Sequence, residues 1–241
     1  MKGVILAGGY GKRLFPLTKV TNKHLLPVYD RPMIFFPIQT LVSCGITEML
    51  IVTGTECVGD FMSLLGSGKE FKASFTYRVQ DGAGGIAEAL SLAEDFAGGE
   101  KFAVILGDNV FTESFAAHAR DFESSQLEAM VFLKEVEKPE RFGVATVQGG
   151  RIISIIEKPA QPESNLAVAG FYLYDGKSVF DIVRSLEPSG RNELEITDVN
   201  SEYLRRGKLG FRLLAGEWTD AGTFESLHAA SGMARKAGLG K

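Results

Sequence analysis

The stretch VILAGGYGKRL, Val4 to Leu14, places an apolar run of strand character directly before a glycine-rich turn. Glycines at the end of a buried strand let backbone N–H groups approach an anion without interference from Cβ atoms. Arg13 can hold phosphate oxygens in a bidentate fork, which a lysine cannot do. The stretch therefore predicts a strand followed by a phosphate-binding turn, and the alternative is a plain turn with two solvated cations. The turn is made of Gly8, Gly9, Gly11, Lys12 and Arg13.

The composition is that of an ordinary globular enzyme. Of the 241 residues, 45% are hydrophobic and 23% are charged, and the net charge is −4. Such a chain lacks the basic footprint of a nucleic-acid-binding protein, and no apolar segment approaches the ~20 residues that span a bilayer. Met1 and Lys2 lead into a strand without a secretory signal, and Cys44 and Cys57 lack metal-ligand spacing. We therefore expect a cytoplasmic protein with reduced thiols and neither a nucleic-acid nor a membrane partner.

Strand-like runs alternate with helical patterns through the first half, and the second half has shorter strands with tight turns. The β-α-β alternation predicts an α/β fold with a parallel, doubly wound sheet. No linker is visible, so we expect one domain over residues 1–241, with a half of about 1–127 that has the β-α-β alternation of nucleotide-type folds and a half of about 128–241 of mixed strands and helices. The predicted strands are Gly3–Ala7, Met49–Thr53, Phe75–Val79, Phe102–Leu106, Met130–Val136, Gly143–Val147, Arg151–Glu157, Val168–Tyr174 and Leu209–Leu214. The predicted helices are Pro32–Cys44, Val58–Leu65, Ile86–Phe96, Ser178–Leu186, Ile196–Arg206 and Phe224 to about Lys236.

The segment GGYGKRLFPLTKVTNKHLLPVYDRPMIFFPI, Gly8 to Ile38, resembles the signature of the sugar-1-phosphate nucleotidylyltransferases. Within that family it is most similar to the glucose-1-phosphate thymidylyltransferases. The resemblance implies a Rossmann-like mixed, mainly parallel sheet flanked by helices, with inserted sugar-binding strands. It continues in family order through YRVQDGAGGIAEAL, VILGDN, PERFGVA, EKP, VAGFYLYD, RNELEITDVN and WTDAGTFESL.

The resemblance implies the transfer of a thymidylyl group from dTTP to α-D-glucose 1-phosphate, which gives dTDP-glucose and pyrophosphate. The expected context is dTDP-rhamnose and polysaccharide biosynthesis. The attacking oxygen already belongs to an anionic phosphate, so catalysis reduces to holding two polyanions and neutralising moving charge. By the same resemblance Asp108 and Asp220 hold Mg²⁺, a hard cation that takes one or two protein carboxylates together with phosphate oxygens.

The matching motif positions also imply roles for individual residues. A glutamine amide at Gln80 can pair with the N3–H and carbonyl edge of thymine or uracil, and a helix starting at Gly84-Gly85 favours an acceptor such as a base carbonyl. The implied nucleotide-binding residues are Gly8, Gly9, Gly11, Arg13, Gln80, Gly85 and Asp108. The implied sugar-phosphate-binding residues are Lys23, Gly143, Glu157, Lys158, Val168 and Arg191. The implied catalytic residues are Arg13, Lys23, Lys158 and Asp108.

Further observations bear on alternative functions and on assembly. Gln80 suits uracil as well as thymine, which leaves a UTP-using uridylyltransferase open, and a non-catalytic sugar-nucleotide sensor is a further alternative. The glycine spacing does not fit the G-x-G-x-x-G motif of a dehydrogenase. The family implies a homo-oligomer, a tetramer or a dimer. The sequence ends at Lys241, soon after the WTDAGTFESLHAA segment, so we expect a short form and leave a regulatory nucleotide site open. Two residues depart from the family pattern, which commonly has threonine where this chain has Lys12 and more often has glycine where this chain has Asn192.

Overall fold

A nine-stranded mixed sheet forms the centre of the computed structural model, which describes residues 1–239. The middle of the sheet is parallel, in the order β6-β1-β4-β5. Strands of the second half extend it: β11 pairs antiparallel with β6, β9 and β8, β10 pairs with β9, and β12 pairs with β8. The predicted α/β, mixed and mainly parallel fold is confirmed. The strands are β1 Lys2–Ala7, β2 Pro27–Val28, β3 Arg31–Pro32, β4 Glu48–Gly54, β5 Ser74–Gln80, β6 Lys101–Leu106, β7 Asn109–Phe111, β8 Ala129–Glu135, β9 Gly143–Gln148, β10 Arg151–Glu157, β11 Leu166–Asp175, β12 Leu209–Leu213 and β13 Trp218–Asp220.

Helices cover both faces of the sheet. Along β1, Val4 and Leu6 contribute to one apolar cluster while Ile5 and Ala7 contribute to the other, as the two-residue period of a strand requires. Both faces of β1 are therefore buried, which explains its continuous apolar run. No helix among residues 1–239 has the length and apolar character that a membrane crossing requires. The α-helices are α1 Phe35–Ser43, α2 Val58–Leu65, α3 Ile86–Ser91, α4 Glu94–Ala97, α5 Ala116–Ser124, α6 Val179–Ser185, α7 Ile196–Arg205 and α8 Phe224–Ala237.

Every predicted strand is present, and two predicted helices are wrong in their bounds. The helix expected at Pro32–Cys44 begins only at Phe35, because Arg31 and Pro32 form β3 and pair with β2 in a small hairpin. The helix expected over Ile86–Phe96 is divided into α3 and α4 by a turn, and its apolar spacing runs unbroken through that turn. The strands β7 and β13 and the helix α5 were not predicted at all.

A buried hydrogen bond joins α7 to the sheet. The Tyr174 hydroxyl on β11 donates to Asn200 Oδ1 on α7 at 2.7 Å, and both residues are essentially inaccessible to solvent. Burial raises the pKa of Tyr174 well above its ordinary value, so the hydroxyl remains a donor. The Nδ2 atom of Asn200 has no hydrogen-bond partner in the structure. Among the described residues, the bond from Tyr174 to Oδ1 is therefore the hydrogen bond on which the Asn200 side chain depends.

We expect Tyr174→Phe to lower the free energy of unfolding by about 1–3 kcal/mol, because it leaves the buried Asn200 amide without any partner. The double variant Tyr174→Phe/Asn200→Leu removes the unsatisfied amide as well and should recover most of the loss. Urea unfolding at pH 7 measures both. A double variant no more stable than Tyr174→Phe would contradict this account of the bond.

Candidate active site

A cleft of about 320 Å³ lies at the carboxyl ends of the parallel strands, where ligands bind in open α/β sheets. The glycine turn follows β1, Gln80 ends β5, and Asp108 follows β6. Strands and loops of the second half close the other side. Of the residues predicted from the sequence, the following line the cleft: Gly8, Gly9, Arg13, Lys23, Gln80, Gly85, Asp108, Gly143, Glu157, Lys158, Val168, Arg191 and Asp220.

Gly11 is the one predicted site residue that does not line the cleft. Its φ of 64° lies in the left-handed region that glycine adopts freely. A Cβ built there would lie 2.8 Å from the Cβ of Lys23 and 2.8 Å from the Cγ2 of Thr18. Gly11 therefore shapes the turn and lets it pack against Lys23. Of the two adjacent cations, Arg13 lines the cleft and Lys12 does not.

The two carboxylates predicted to hold the metal are brought together by β7 and β13. These short strands pair antiparallel, with Asp220 opposite Asn109, the residue that follows Asp108. The N–H of Ala221 donates to the Asp108 carbonyl at 2.8 Å. Residues more than a hundred positions apart in the chain thus become neighbours. A basic side chain attends each carboxylate, with Lys23 Nζ 2.5 Å from Asp108 Oδ2 and Arg141 Nη2 3.4 Å from Asp220 Oδ2.

The pKa values of the two carboxylates are shifted in opposite directions. Burial, followed by the negative charge of Asp108, raises the pKa of Asp220 to about 6, and the cations Arg141, Arg13 and Lys23 only partly offset this. Burial also acts to raise the pKa of Asp108, but the Lys23 ammonium and the Asn109 amide hold that pKa well below its usual range. The pair therefore concentrates negative charge where little water screens it.

The residues present fit a divalent metal. Asp108 and Asp220 both line the cleft. The described residues contain no group of three or more His, Cys, Asp or Glu side chains that could hold a metal by themselves, so the remaining ligands would have to come from the substrate or from water. Two carboxylates with phosphate oxygens match the preference of Mg²⁺. Gly222 keeps the space between them open: a Cβ there would lie 2.9 Å from Arg13 Nη2, 3.3 Å from Asp220 Oδ2 and 3.6 Å from Asp108 Oδ2. This glycine was not recognised in the sequence.

Asn109 is a second residue whose importance the sequence did not reveal. It is 2% exposed, and its Nδ2 donates to Asp108 Oδ1 at 2.8 Å. Its Oδ1 accepts from Trp218 Nε1 at 2.6 Å and from the Gly170 N–H at 3.0 Å. Asn109 therefore orients the Asp108 carboxylate against both β13 and β11. The signal available was the LGDN motif, which was interpreted only through its aspartate.

The part of the cleft around Gln80, predicted to bind the base and called the base side below, differs from the prediction in one respect. Gln80 is buried, and its Nε2 donates to Glu88 Oε2 at 2.6 Å and lies 3.3 Å from the Gly85 carbonyl. The amide nitrogen is thus committed within the protein. Pairing of both Gln80 atoms with a base, as expected, does not agree with this arrangement. The N–H of Gly84 donates to Glu88 as well, so a side chain of this chain already uses that N–H at the start of α3.

Backbone hydrogen bonds join the base side to the part of the cleft around Glu157 and Arg191, which is predicted to bind the sugar phosphate and is called the sugar side below. The Leu194 N–H donates to the Gly84 carbonyl at 2.7 Å, and the Ala87 N–H donates to the Leu194 carbonyl at 3.1 Å. Gly85 has a φ of 102°, and a Cβ there would clash with the backbone of Leu194. Only glycine permits this approach, so the predicted base-binding residue Gly85 also has a structural role.

On the sugar side, Glu157 is held by its neighbours at the end of β10. It accepts from Thr197 Oγ1 at 2.5 Å and from Arg191 Nη2 at 3.1 Å, and Lys158 Nζ lies 3.1 Å away. Lys158 has a φ of 42°, a conformation that costs free energy in a non-glycine residue and persists where the surroundings impose it. Asn192 also has a positive φ, 59°, which asparagine tolerates and glycine adopts freely. The departure from the family pattern at Asn192 is therefore conformationally compatible.

Several cleft residues were not assigned from the sequence. Tyr172 is buried but lines the cleft, and burial raises the pKa of its hydroxyl. His24 also lines the cleft, and burial together with the neighbouring Lys23 lowers its pKa to about 3, so it stays neutral. Others that line the cleft are Arg141, Phe142, Glu193, Glu195, Thr197 and Trp218.

Comparison with known proteins agrees with this geometry. A profile of the nucleotidyl transferase family matches residues 2–236. A relative from Neisseria meningitidis serogroup A named glucose-1-phosphate thymidylyltransferase is 43% identical over 96% of this chain and 81% of its own length. One of the same name from Xanthomonas campestris pv. campestris strain B100 is 44% identical over 95% of this chain and 79% of its own length. The chain belongs to the nucleotidyl transferase family.

Solved structures show the same fold. A Bacillus anthracis protein assigned as a glucose-1-phosphate thymidylyltransferase, crystallised in complex with sucrose, superposes with a TM-score of 0.94 at 55% identity, covering 98% of this chain and 95% of that one. A UDP-glucose pyrophosphorylase complexed with UDP-glucose superposes with a TM-score of 0.85 at 28% identity, covering 98% of each chain. These likenesses extend over both halves of the sheet.

We expect Gly222→Ala to lower kcat/KM by about 100-fold, because the added methyl displaces Arg13 and fills the space beside the two carboxylates. Gly232→Ala is the matched control, since a Cβ on this glycine of α8 meets no atom within 4 Å. Steady-state rates of both variants, with thermal unfolding to confirm the fold, provide the comparison. Equal rates for the two variants would remove Gly222 from the site.

Proposed function

We propose that the chain is a glucose-1-phosphate thymidylyltransferase, which converts dTTP and α-D-glucose 1-phosphate into dTDP-glucose and pyrophosphate. The observation that carries the proposal is the placement of Asp108 and Asp220 between a base side, with Gln80, and a sugar side, with Glu157 and Lys158, in one cleft. The names of the 40–45% identical relatives support the same reaction.

In this reaction an oxygen of the sugar phosphate attacks the α-phosphorus of dTTP. The bond from that phosphorus to the bridging oxygen of the departing pyrophosphate breaks. The nucleophile is already anionic, so no side chain has to remove a proton from it. Burial lowers the pKa of His24 to about 3, which makes this imidazole a weak base, in keeping with chemistry that needs no general base. What the protein must supply is alignment of the two phosphates and positive charge that does not have to reorganise.

The side chains of the cleft can supply both. We assign Arg13 and Lys23 to the phosphates of dTTP and Lys158 to the phosphate of the sugar. Lys23 and Lys158 each lie beside a carboxylate in the structure, Asp108 and Glu157, so each ammonium is held in place before substrate arrives. The backbone of Gly8 and Gly9 lines the cleft next to Arg13. A bare backbone there can approach phosphate oxygens closely.

We further propose Mg²⁺ as the metal, held by Asp108 and Asp220. Bound there, it would supply Lewis-acid charge to the phosphate oxygens. Val168, Gly143 and Arg191 would complete the sugar-phosphate site.

The substrates are intracellular metabolites, which supports a cytoplasmic location. We propose that the halves joined by β6 and β11 act as one domain, and that the chain forms a homo-oligomer, a tetramer or a dimer, which light scattering would test.

A second substrate, UTP, is favoured by one observation. Gln80 faces the cleft with its amide oxygen, and uracil presents the same N3–H as thymine to an acceptor. The 5-methyl group of thymine adds only about 1–3 kcal/mol of discrimination in an apolar pocket. We therefore expect UTP to be used less well than dTTP. A non-catalytic sensor is disfavoured, because the predicted carboxylates and cations all line the cleft.

The direct test is pyrophosphate release with glucose 1-phosphate and, in turn, dTTP, UTP, CTP, ATP and GTP. We expect the highest kcat/KM with dTTP and a lower one with UTP. Omission of the sugar phosphate is the control for simple hydrolysis. A preference for ATP or GTP, or no turnover with any of the five, would refute the proposal.

We expect Asp108→Asn and Asp220→Asn each to lower kcat by about 100-fold or more, because a neutral amide cannot bind the metal or balance its charge. The matched control is Asp121→Asn, an exposed aspartate on α5. EDTA should abolish wild-type turnover, and added Mg²⁺ should restore it. Full activity in EDTA would contradict the metal assignment, and near-normal turnover of either variant would contradict that residue's role.

A further inference from the structure

The Gln80 amide can have only one orientation in this structure. Its nitrogen faces two acceptors, Glu88 Oε2 at 2.6 Å and the Gly85 carbonyl at 3.3 Å. An ionised carboxylate and a carbonyl have no proton to donate, so an amide oxygen turned toward them would be repelled. The oxygen of Gln80 must therefore point the other way. It lies 2.7 Å from the position of a Cβ on Gly8, beside the glycine turn and next to the cleft.

Glu88 is itself fixed. Its Oε2 atom, which accepts from Gln80, also accepts from the Gly84 N–H at 2.9 Å. A side chain on Gly84 would collide with the Glu88 carboxylate, so the glycine makes room for it. Glu88 does not line the cleft, although its neighbours Gly85, Ile86 and Ala89 do. Any influence of Glu88 on a bound base therefore acts through the groups it holds, which are Gln80 and the backbone at Gly84.

This arrangement determines what Gln80 offers a ligand. Both protons of its nitrogen are directed into the protein, so the amide presents only its oxygen, an acceptor. Thymine and uracil carry a proton on N3, whereas N3 of cytosine is an acceptor. Placing two acceptors face to face in a buried site leaves both unpaired, which costs free energy on each side. Turning the amide over would reverse this preference and favour cytosine.

We propose that Glu88 is a positioning residue that holds the Gln80 amide with its oxygen toward the base and so selects bases with an N3–H against cytosine. The inference rests on the proposed function, because it places the base of the nucleotide at Gln80. It adds a second residue to base recognition and assigns the discrimination to a hydrogen-bond acceptor rather than to the size of the pocket.

The test compares dUTP with dCTP, which differ only at the base edge, with dTTP as reference. Glu88→Met keeps the length of the side chain but removes the acceptor. We expect it to lower the ratio of kcat/KM for dUTP to that for dCTP at least tenfold and to leave the KM for glucose 1-phosphate within about twofold. Where dCTP is not turned over, its inhibition constant against dTTP is measured instead, and we expect that constant to fall relative to the KM for dUTP.

Glu88→Gln is the conservative control. Its amide oxygen can accept from both Gln80 and Gly84, as Oε2 of Glu88 does, because the two bonds share one oxygen. We expect it to keep the ratio within about threefold of the wild type. Gly84→Ala provides a second route to the same loss, because its methyl expels the carboxylate. Thermal unfolding verifies that each variant is folded.

Three outcomes would overturn the inference. An equal loss with dUTP and dCTP in Glu88→Met would indicate a merely structural role. Unchanged kcat/KM values for both nucleotides in Glu88→Met would show that Gln80 keeps its orientation without Glu88. A loss in Glu88→Gln as large as in Glu88→Met would assign the effect to charge. The proposed function fails separately, when the wild type itself does not turn over dTTP.

Discussion

The pairing of β7 with β13 is the contact on which the site depends. Only three residues of each strand take part, yet the register sets Asp220 opposite Asn109 and thereby brings a carboxylate from each half of the chain into one cleft. Asn109 then fixes the geometry from inside, because its amide reaches Asp108, Trp218 and β11 at once. The large sheet provides the platform, and this small one defines the position of the chemistry.

Charge in the cleft is arranged as opposed pairs. Lys23 lies on Asp108, Arg141 on Asp220, and Lys158 on Glu157. Each ion pair holds a long cationic side chain in one conformation, whereas the same side chain free in water would sample many rotamers. A polyanionic substrate would compete with the carboxylates for these cations. A metal bound to Asp108 and Asp220 would in turn free Lys23 and Arg141 to contact the substrate. The positive and negative side chains that line the cleft thus nearly balance in number.

The sequence predicted most strands of the large sheet and few of the contacts between distant segments that build the site. Buried strands such as β1 and β6 are continuous apolar runs, which a local pattern can detect. β7 and β13 are three residues long, and their partners lie about a hundred positions away, so no local periodicity marks them. Gly222 and Asn109 act through distances between segments, which a sequence does not contain. The two carboxylates and the cleft cations were found because the motifs that carry them resemble a family signature.

The backbone bonds between Gly84 and Leu194 make the two ends of the cleft parts of one mechanical unit. They connect the loop that precedes α3 to the Arg191–Glu195 segment through main-chain atoms alone. By thermodynamic reciprocity, the nucleotide and the sugar phosphate must change each other's binding by the same free energy, whichever of them is added first. Any coupling that these bonds carry between the two substrates therefore runs through the main chain.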